Sequence, residues 1–279
     1  KLVVERYGTG KRETVDIIRD AVSQPSISEY YMVRPGVGYI AMTGGFNQTT
    51  YGEFADAMRA LKAKGMKQLV LDLKNNGGGL VGQAFRIAET FLPQGQTVFT
   101  QNGRIDGVTV PYKSGNPNPE TMPVVVLVNR NSASASEILA GALQDHDRAL
   151  IVGETTFGKG LVQNPFPLDY GSMLLLTIAK YETPSGRLIQ RDYSNGNLYD
   201  YYTNGGIGAS DAAAGEGTPK GPEAKTDAGR PVYSGGGINP DVPLKADTIT
   251  TERFRYQQKM NNPIFAFAMD LAYGRVKGF

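Results

Sequence analysis

Three short stretches of this 279-residue chain bring together residue types that can do chemistry. The first is Asn131-Ser132-Ala133-Ser134-Ala135-Ser136-Glu137, which follows an apolar run over 124–128 and opens a helix-forming stretch over 132–143. A serine where a strand turns into a helix meets free backbone N–H groups that favour negative charge. That setting suits a nucleophile whose attack creates an oxyanion. The same residues spell a capping box, Ser134-x-x-Glu137, and taken alone the stretch is read more readily as a helix cap. It lacks the Gly-x-Ser-x-Gly pattern of the α/β-hydrolase elbow.

The second stretch is Gly153-Glu154-Thr155-Thr156-Phe157-Gly158-Lys159-Gly160. It imitates a phosphate-binding loop but fails at its last position. Gly160 has no hydroxyl for Mg²⁺, and Leu161-Val162-Gln163 reads as a strand where a helix is required. Lys159 fits better as a base. A lysine accepts a proton only where burial favours its neutral amine, and Phe157, Leu161 and the glycines offer an apolar, close setting. Strand alternation puts Phe157, Lys159, Leu161 and Gln163 on one face, so Gln163 is placed to hold the Lys159 amine. The bland alternative is a solvated surface lysine.

The third stretch is Asn75-Asn76-Gly77-Gly78-Gly79, after the apolar run 68–73. Consecutive glycines let a backbone pass close to a ligand with its N–H groups presented, as an oxyanion hole requires. A plain Gly-rich turn from strand to helix explains them equally well.

The chain has one histidine, His146, which excludes a multi-His metal site. It follows Ser134 by 12 residues, mostly along one expected helix. At 1.5 Å per residue that is roughly 18 Å, too far to serve as the base for Ser134. It reads as a histidine near a helix C-terminus, interacting with the last carbonyls. There is no cysteine, which removes thiol catalysis, cysteine metal sites and disulfides.

The elements that must position these stretches alternate. Strands are expected over 1–7, 37–42, 68–73, 124–128, 150–152, 161–163 and 173–181. Helices are expected over 51–64, 81–91, 132–143 and in 252–279. Phe54, Met58 and Leu61 recur at helical spacing, and Gly65 is placed to end that helix. Alternating strands and helices argue for an α/β layered core. Residues 191–236 are rich in Gly, Asn, Asp, Tyr and Ala and read as an irregular insertion whose Tyr193, Tyr199, Tyr201 and Tyr202 pack on the core. Hydrophobic residues make up 40% and charged residues 20%, the balance of a globular chain. A net charge of +2 gives no field for nucleic acid. No apolar run is long enough to span a membrane.

The run from Asn131 to Asp145 and the run from Ala149 to Gln163 closely resemble the carboxyl-terminal processing, or tail-specific, serine peptidases. So do Leu71-Asp72-Leu73-Lys74-Asn75-Asn76-Gly77-Gly78-Gly79-Leu80, Thr183-Pro184-Ser185-Gly186-Arg187-Leu188-Ile189-Gln190 and Gly237-Ile238-Asn239-Pro240-Asp241-Val242. The chain departs from the family where it has Gly77 for a usual proline and Lys74 for a frequent arginine. The resemblance implies a ClpP/crotonase-like α/β core with mixed, β-rich N- and C-terminal parts. It implies residues 1–7 as the last strand of an otherwise missing PDZ domain, and 8–279 as the peptidase core with 191–236 inserted. It implies Ser134 as nucleophile, Lys159 as general base and Gln163 as the residue orienting Lys159. It implies that the Ala135 N–H and one from Gly78 or Gly79 form the oxyanion hole. It further implies no metal or cofactor, polypeptide substrates bound through C-terminal segments, no nucleic-acid partner, possible homo-oligomers and a cell-envelope or periplasmic location. A photosynthetic organelle is the other location compatible with the resemblance. Two other functions compete: a ligand-binding module that has lost the chemistry, and acyl-CoA chemistry on a crotonase-like fold, in which Ser134 and Lys159 have no role.

Overall fold

The computed structural model describes residues 1–18, 20, 24–104, 109–191, 221–244 and 250–278. The chain divides into two compact units, Lys1–Ser23 with Asp247–Phe279, and Gln24–Ala246.

In the smaller unit, β1 (Leu2–Glu5) pairs antiparallel with β2 (Arg12–Val15). The strand expected over 1–7 is present over Leu2–Glu5, and the chain then reverses, with the Arg6 N–H donating to the Lys11 carbonyl at 2.9 Å. The C-terminal helix (Thr251–Ala272) starts at Thr250, whose side chain accepts the Arg253 N–H at 3.2 Å. The Arg275 guanidinium lies over the rings of Tyr7 and Tyr273.

The larger unit is built on a six-stranded sheet. Its strands are β3 (Glu29–Arg34), β4 (Val37–Ala41), β5 (Gln68–Asp72), β8 (Val124–Val128), β9 (Ala149–Gly153) and β14 (Val242–Pro243). The order across the sheet is β14-β9-β8-β5-β4-β3. All neighbours are parallel except β3, which pairs antiparallel with β4. Helix α1 (Thr50–Ala63) links β4 to β5, α2 (Val81–Phe91) follows β5, and α3 (Ala135–Asp145) links β8 to β9. A second, antiparallel sheet has the order β10-β11-β6-β7, formed by β6 (Thr97–Gly103), β7 (Val110–Lys113), β10 (Leu161–Pro167) and β11 (Met173–Glu182). The strand–helix alternation expected for an α/β core is thus present.

The central strands are apolar because both faces are covered. Ile40, Leu71, Val126 and Ile151, one from each of β4, β5, β8 and β9, are fully buried. Phe54, Leu61, Ile87, Phe91, Leu139 and Leu143 of the helices pack into the same core. Phe54 and Phe91 meet edge to face at 6.1 Å. Helix α1 stops where Gly65 takes φ +85°, which a residue with a Cβ resists. Helix α3 is buried along its whole length. It starts at Ala135 rather than at 132, because Ser132 instead makes a turn. Its hydroxyl donates to the Leu73 carbonyl at 2.8 Å and receives the Asn129 N–H at 3.0 Å.

Strands β3, β6 and β7 were not foreseen. Most of their residues are exposed or half-exposed, so their sequences lack a buried periodic stripe. The segment read as an irregular insertion contains a hairpin, β12 (Glu223–Lys225) with β13 (Pro231–Tyr233). Arg230 Nε donates to Asp147 at 2.5 Å and the Asp227 N–H to the Asp145 carbonyl at 2.8 Å, so the hairpin is tied to the end of α3. The insertion tyrosines Tyr193, Tyr199, Tyr201 and Tyr202 lie outside the described residues.

A buried ion pair locks α3 to the turn after β11. Arg187 and Asp145 are paired with side-chain exposures of 0% and 1%. Arg187 also reaches Gln144 Oε1 at 3.0 Å, and Asp145 accepts the Ser185 hydroxyl at 2.6 Å and its N–H at 3.0 Å. Removing the arginine leaves a buried carboxylate without its counter-charge. Arg187→Leu is expected to cost about 3–5 kcal/mol of stability, seen as a lower urea midpoint; an unchanged midpoint contradicts this.

Candidate active site

Parallel strands place their carboxyl ends on one edge of a sheet, and loops there gather into a site. Four such loops meet here. They follow β4, β5, β8 and β9 and carry Phe46, the glycine run, Ser134 and Lys159 respectively. Hydrogen bonds stitch each loop to the next. The Phe46 N–H donates to the Gly78 carbonyl at 2.9 Å and the Leu80 N–H to the Phe46 carbonyl at 2.8 Å. The Ala133 N–H and the Ser136 hydroxyl both donate to the Asn76 carbonyl, at 3.0 and 2.9 Å. The Phe157 N–H donates to the Ser132 carbonyl at 3.0 Å.

Ser134 precedes the first turn of α3 with φ 57° and ψ −114°, a conformation that residues with a Cβ seldom adopt. Such backbone strain costs of order 1–3 kcal/mol and persists only where the surroundings enforce it. The surroundings here are tight. A Cβ added to Gly78 would lie 2.6 Å from the Ala133 carbonyl oxygen, 2.8 Å from Ser134 Cβ and 3.0 Å from the Ala135 nitrogen. Gly78 also has φ +95°. The glycine run therefore touches the serine turn, and only glycine fits at 78.

The N–H groups near Ser134 are not equivalent. That of Gly78 donates to Asn76 Oδ1 at 2.9 Å. Those of Ala135 and Gly79 donate to no protein acceptor among the described residues. Ala135 is fully buried and Gly79 is exposed. Asn76, which carries no sequence signal of a role, is fully buried and organises this region, donating in addition to the Met42 carbonyl at 2.5 Å. Asn75, at φ 62°, exchanges bonds with Asn129 and accepts from Asn131, each at 2.9 Å.

The Lys159 loop is joined to the Ser134 turn through one carboxylate. Glu137 is fully buried. Its Oε2 accepts the N–H of Ser134 at 2.8 Å and the N–H of Lys159 at 2.8 Å. Its Oε1 accepts the N–H of Gly158 at 2.6 Å and the hydroxyl of Thr156 at 2.6 Å. The Thr156 oxygen in turn accepts the Ile238 N–H at 2.7 Å. Burial pushes the Glu137 carboxyl above its ordinary value, while the Thr156 hydroxyl and the three backbone N–H groups pull the other way. With four donors on its two oxygens and no acceptor facing it among the described residues, the group is a carboxylate.

Lys159 itself is half-buried, and its ammonium makes no hydrogen bond or ion pair among the described residues. The expected bond from Gln163 is not made. Gln163 lies exposed on β10, next to an irregularity of the β10–β11 ladder between Val162 and Gln163. Such an irregularity re-aims side chains, which simple alternation does not allow for. A different glutamine serves the loop: buried Gln190 accepts the Gly160 N–H through Oε1 at 2.8 Å. Its position within the motif 183–190 was the only signal of a role. His146 follows the last residue of α3, as read, but its ring meets Asp227 Oδ2 and the Thr97 carbonyl, both at 2.7 Å, rather than the helix carbonyls.

The family model for peptidase family S41 matches residues 36–200, more than half of the chain. The chain therefore belongs to peptidase family S41. It is similar to the carboxyl-terminal-processing protease of Synechocystis, 42% identical over 180 residues, which are 63% of this chain and 42% of that protein. It is also similar to the carboxy-terminal-processing protease of Bartonella bacilliformis, 39% identical over 194 residues, 68% of this chain and 44% of that protein. Among solved structures, the photosystem II D1 C-terminal processing protease superposes with a TM-score of 0.56 at 29% identity, over 86% of this chain and 53% of that one. The chain spans less than half the length of these two curated relatives.

Gly78→Ala is expected to displace the Ser134 turn and lower peptidase turnover on the order of 100-fold, with the overall fold retained by circular dichroism. Turnover equal to that of the parent contradicts the close approach.

Proposed function

We propose that this chain is a serine-type endopeptidase that processes polypeptides at or near their C-termini, with Ser134 as nucleophile and Lys159 as general base. The observation that carries the reading is the Glu137 carboxylate, which binds the backbone of both residues at once. A site of this chemistry needs its nucleophile and base held in one frame, and a fully buried four-fold acceptor supplies that frame.

In the proposed cycle the neutral Lys159 amine takes the Ser134 hydroxyl proton as Oγ bonds to the scissile carbonyl carbon. The carbonyl π electrons move to oxygen, and the oxyanion is met by the N–H groups of Ala135 and Gly79. Gly78 closes the wall behind it, since its own N–H is taken by Asn76. The tetrahedral species collapses, the C–N bond breaks, and the Lys159 ammonium returns its proton to the leaving amine. Water then adds to the acyl-enzyme with Lys159 again accepting the proton, and Ser134 is released. The cell envelope is the location we favour, from the resemblance to bacterial members; some relatives are chloroplastic. Among the described residues, no helix is long and apolar enough to cross a membrane.

One observation favours a second reading, a ligand-binding module on the same fold: the Lys159 ammonium has no bond to Ser134 in this structure. Cleavage of an unfolded polypeptide separates the two. We expect the parent to cleave, and Ser134→Ala and Lys159→Ala each to fall to background while remaining folded. Residues that act as one unit are not additive, so the double variant should be no slower than either single one. A Lys159→Ala variant with parental activity removes the lysine from the mechanism. A parent with no activity favours the binding module.

A further inference from the structure

Beyond Lys159 the chain continues directly into a β-ribbon, β10 with β11. Strand β11 also pairs with β6, but only over Ala179–Glu182. Among the described residues, the ribbon from Gln163 to Met173 is two strands alone, in the register Gln163↔Thr177, Pro165↔Leu175 and Pro167↔Met173, alternating with Asn164↔Leu176 and Phe166↔Leu174. Residues opposite one another share a face. One face therefore carries Pro165, Pro167, Met173 and Leu175, and the other Phe166, Leu174 and Leu176.

Both faces are apolar and open. Met173 is 62% exposed and Leu175 59%, against 40% for Phe166, 43% for Leu174 and 46% for Leu176. Between 161 and 179 the only charged residue is Asp169, in the turn at the tip. A contiguous apolar patch of this kind on a folded chain marks an interaction site.

Three observations select the occupant. First, the ribbon leads directly from the site, and its more exposed face is the one that carries Met173 and Leu175. The Tyr181 N–H donates to the Gly160 carbonyl at 2.8 Å, so the contact between the two segments reaches back to Gly160, next to Lys159. Second, Pro165 and Pro167 have no N–H, so that end of β10 cannot accept another strand by a full set of backbone bonds. Whatever lies here is held by side chains on the face. Third, four side chains offer about a few hundred Å² of contact, short of the roughly 800 Å² per partner of a stable protein interface. Asp169 at the tip opposes burial of the ribbon in a bilayer.

We propose that the face formed by Pro165, Pro167, Met173 and Leu175 is a docking platform for an extended, uncharged, apolar stretch of the polypeptide substrate, leading it toward Ser134. This rests on the peptidase reading above. The seven residues of β10, at about 3.3 Å each, accommodate a similar number of substrate residues. Preference for apolar residues should thus extend over about that distance from the cleaved bond.

The test measures binding, so that it does not depend on catalysis. A fluorescein-labelled peptide with a seven-residue Leu/Val stretch, and its Ser/Gln counterpart, are titrated by anisotropy into the Ser134→Ala chain. The same titrations are made with Met173→Ser/Leu175→Ser added, and with Leu174→Ser/Leu176→Ser added as the control face. All four positions are exposed, so the fold should tolerate these changes. We expect the Leu/Val peptide to bind at least 10-fold more weakly when Met173 and Leu175 are changed, and as before when the control face is changed. The Ser/Gln peptide should bind equally weakly to all. Equal binding of the Leu/Val peptide to all three chains, or loss on the control face alone, overturns the platform. So does peptide binding that ignores the ribbon while Met173→Ser/Leu175→Ser abolishes dimerisation in sedimentation or co-flotation with phosphatidylglycerol vesicles; the occupant is then a second copy or a bilayer. If ribbon-dependent binding is seen but the parent cleaves nothing, the peptidase reading fails and the platform stands. If the parent cleaves and binding ignores the ribbon, the reverse holds.

Discussion

One buried carboxylate holds this site together. Glu137 accepts from Ser134, Lys159, Gly158 and Thr156, and Thr156 carries the connection on to Ile238. A buried charge is tolerated only when its lone pairs are fully used, and four donors meet that condition. The consequence is geometric. The turn after β8 and the loop after β9 cannot move independently, because both are fastened to the same two oxygens. The strained backbone of Ser134 is supported by the same contact, since its N–H is one of the four donors.

The rest of the larger unit brings that carboxylate and its donors into range. Parallel pairing of β4, β5, β8 and β9 sends their following loops to one edge of the sheet. Asn76 does for the glycine run what Glu137 does for the lysine loop: it is buried, and it binds the backbone on both sides of the junction. The Asp145–Arg187 pair anchors the far end of α3, so the helix that follows Ser134 is fixed at both ends. Stability and site geometry therefore share the same buried polar groups.

Much of this was legible from residue types and spacing, for physical reasons. Helix α2 and strand β8 have the bounds read from sequence, because an apolar stripe and an apolar run between turn residues leave little choice. The start of α3 was read three residues early, since a Ser-rich turn has the composition of a helix N-terminus. Glu137 was visible only as half of a capping box. Its bonds to Gly158 and Lys159, more than 20 residues away, depend on the order of strands in the sheet, which local pattern does not encode. Gln163 was placed beside Lys159 by alternation alone, and the ladder irregularity next to it defeated that rule. Gln190 is not legible in the sequence, because a glutamine that binds backbone has no periodic signature.

The central claim is that the Glu137 carboxylate sets the reactive geometry of Ser134, and the most direct measurement is the rate at which Ser134 is acylated by an activated p-nitrophenyl ester. The rate is followed by stopped flow, with the modified residue identified by mass. Glu137→Gln keeps the shape of the side chain but turns an N–H donor toward N–H donors. The account predicts acylation slowed on the order of 100-fold, with a near-ultraviolet circular dichroism spectrum like that of the parent. Acylation of Ser134 at the parental rate in that variant would contradict it.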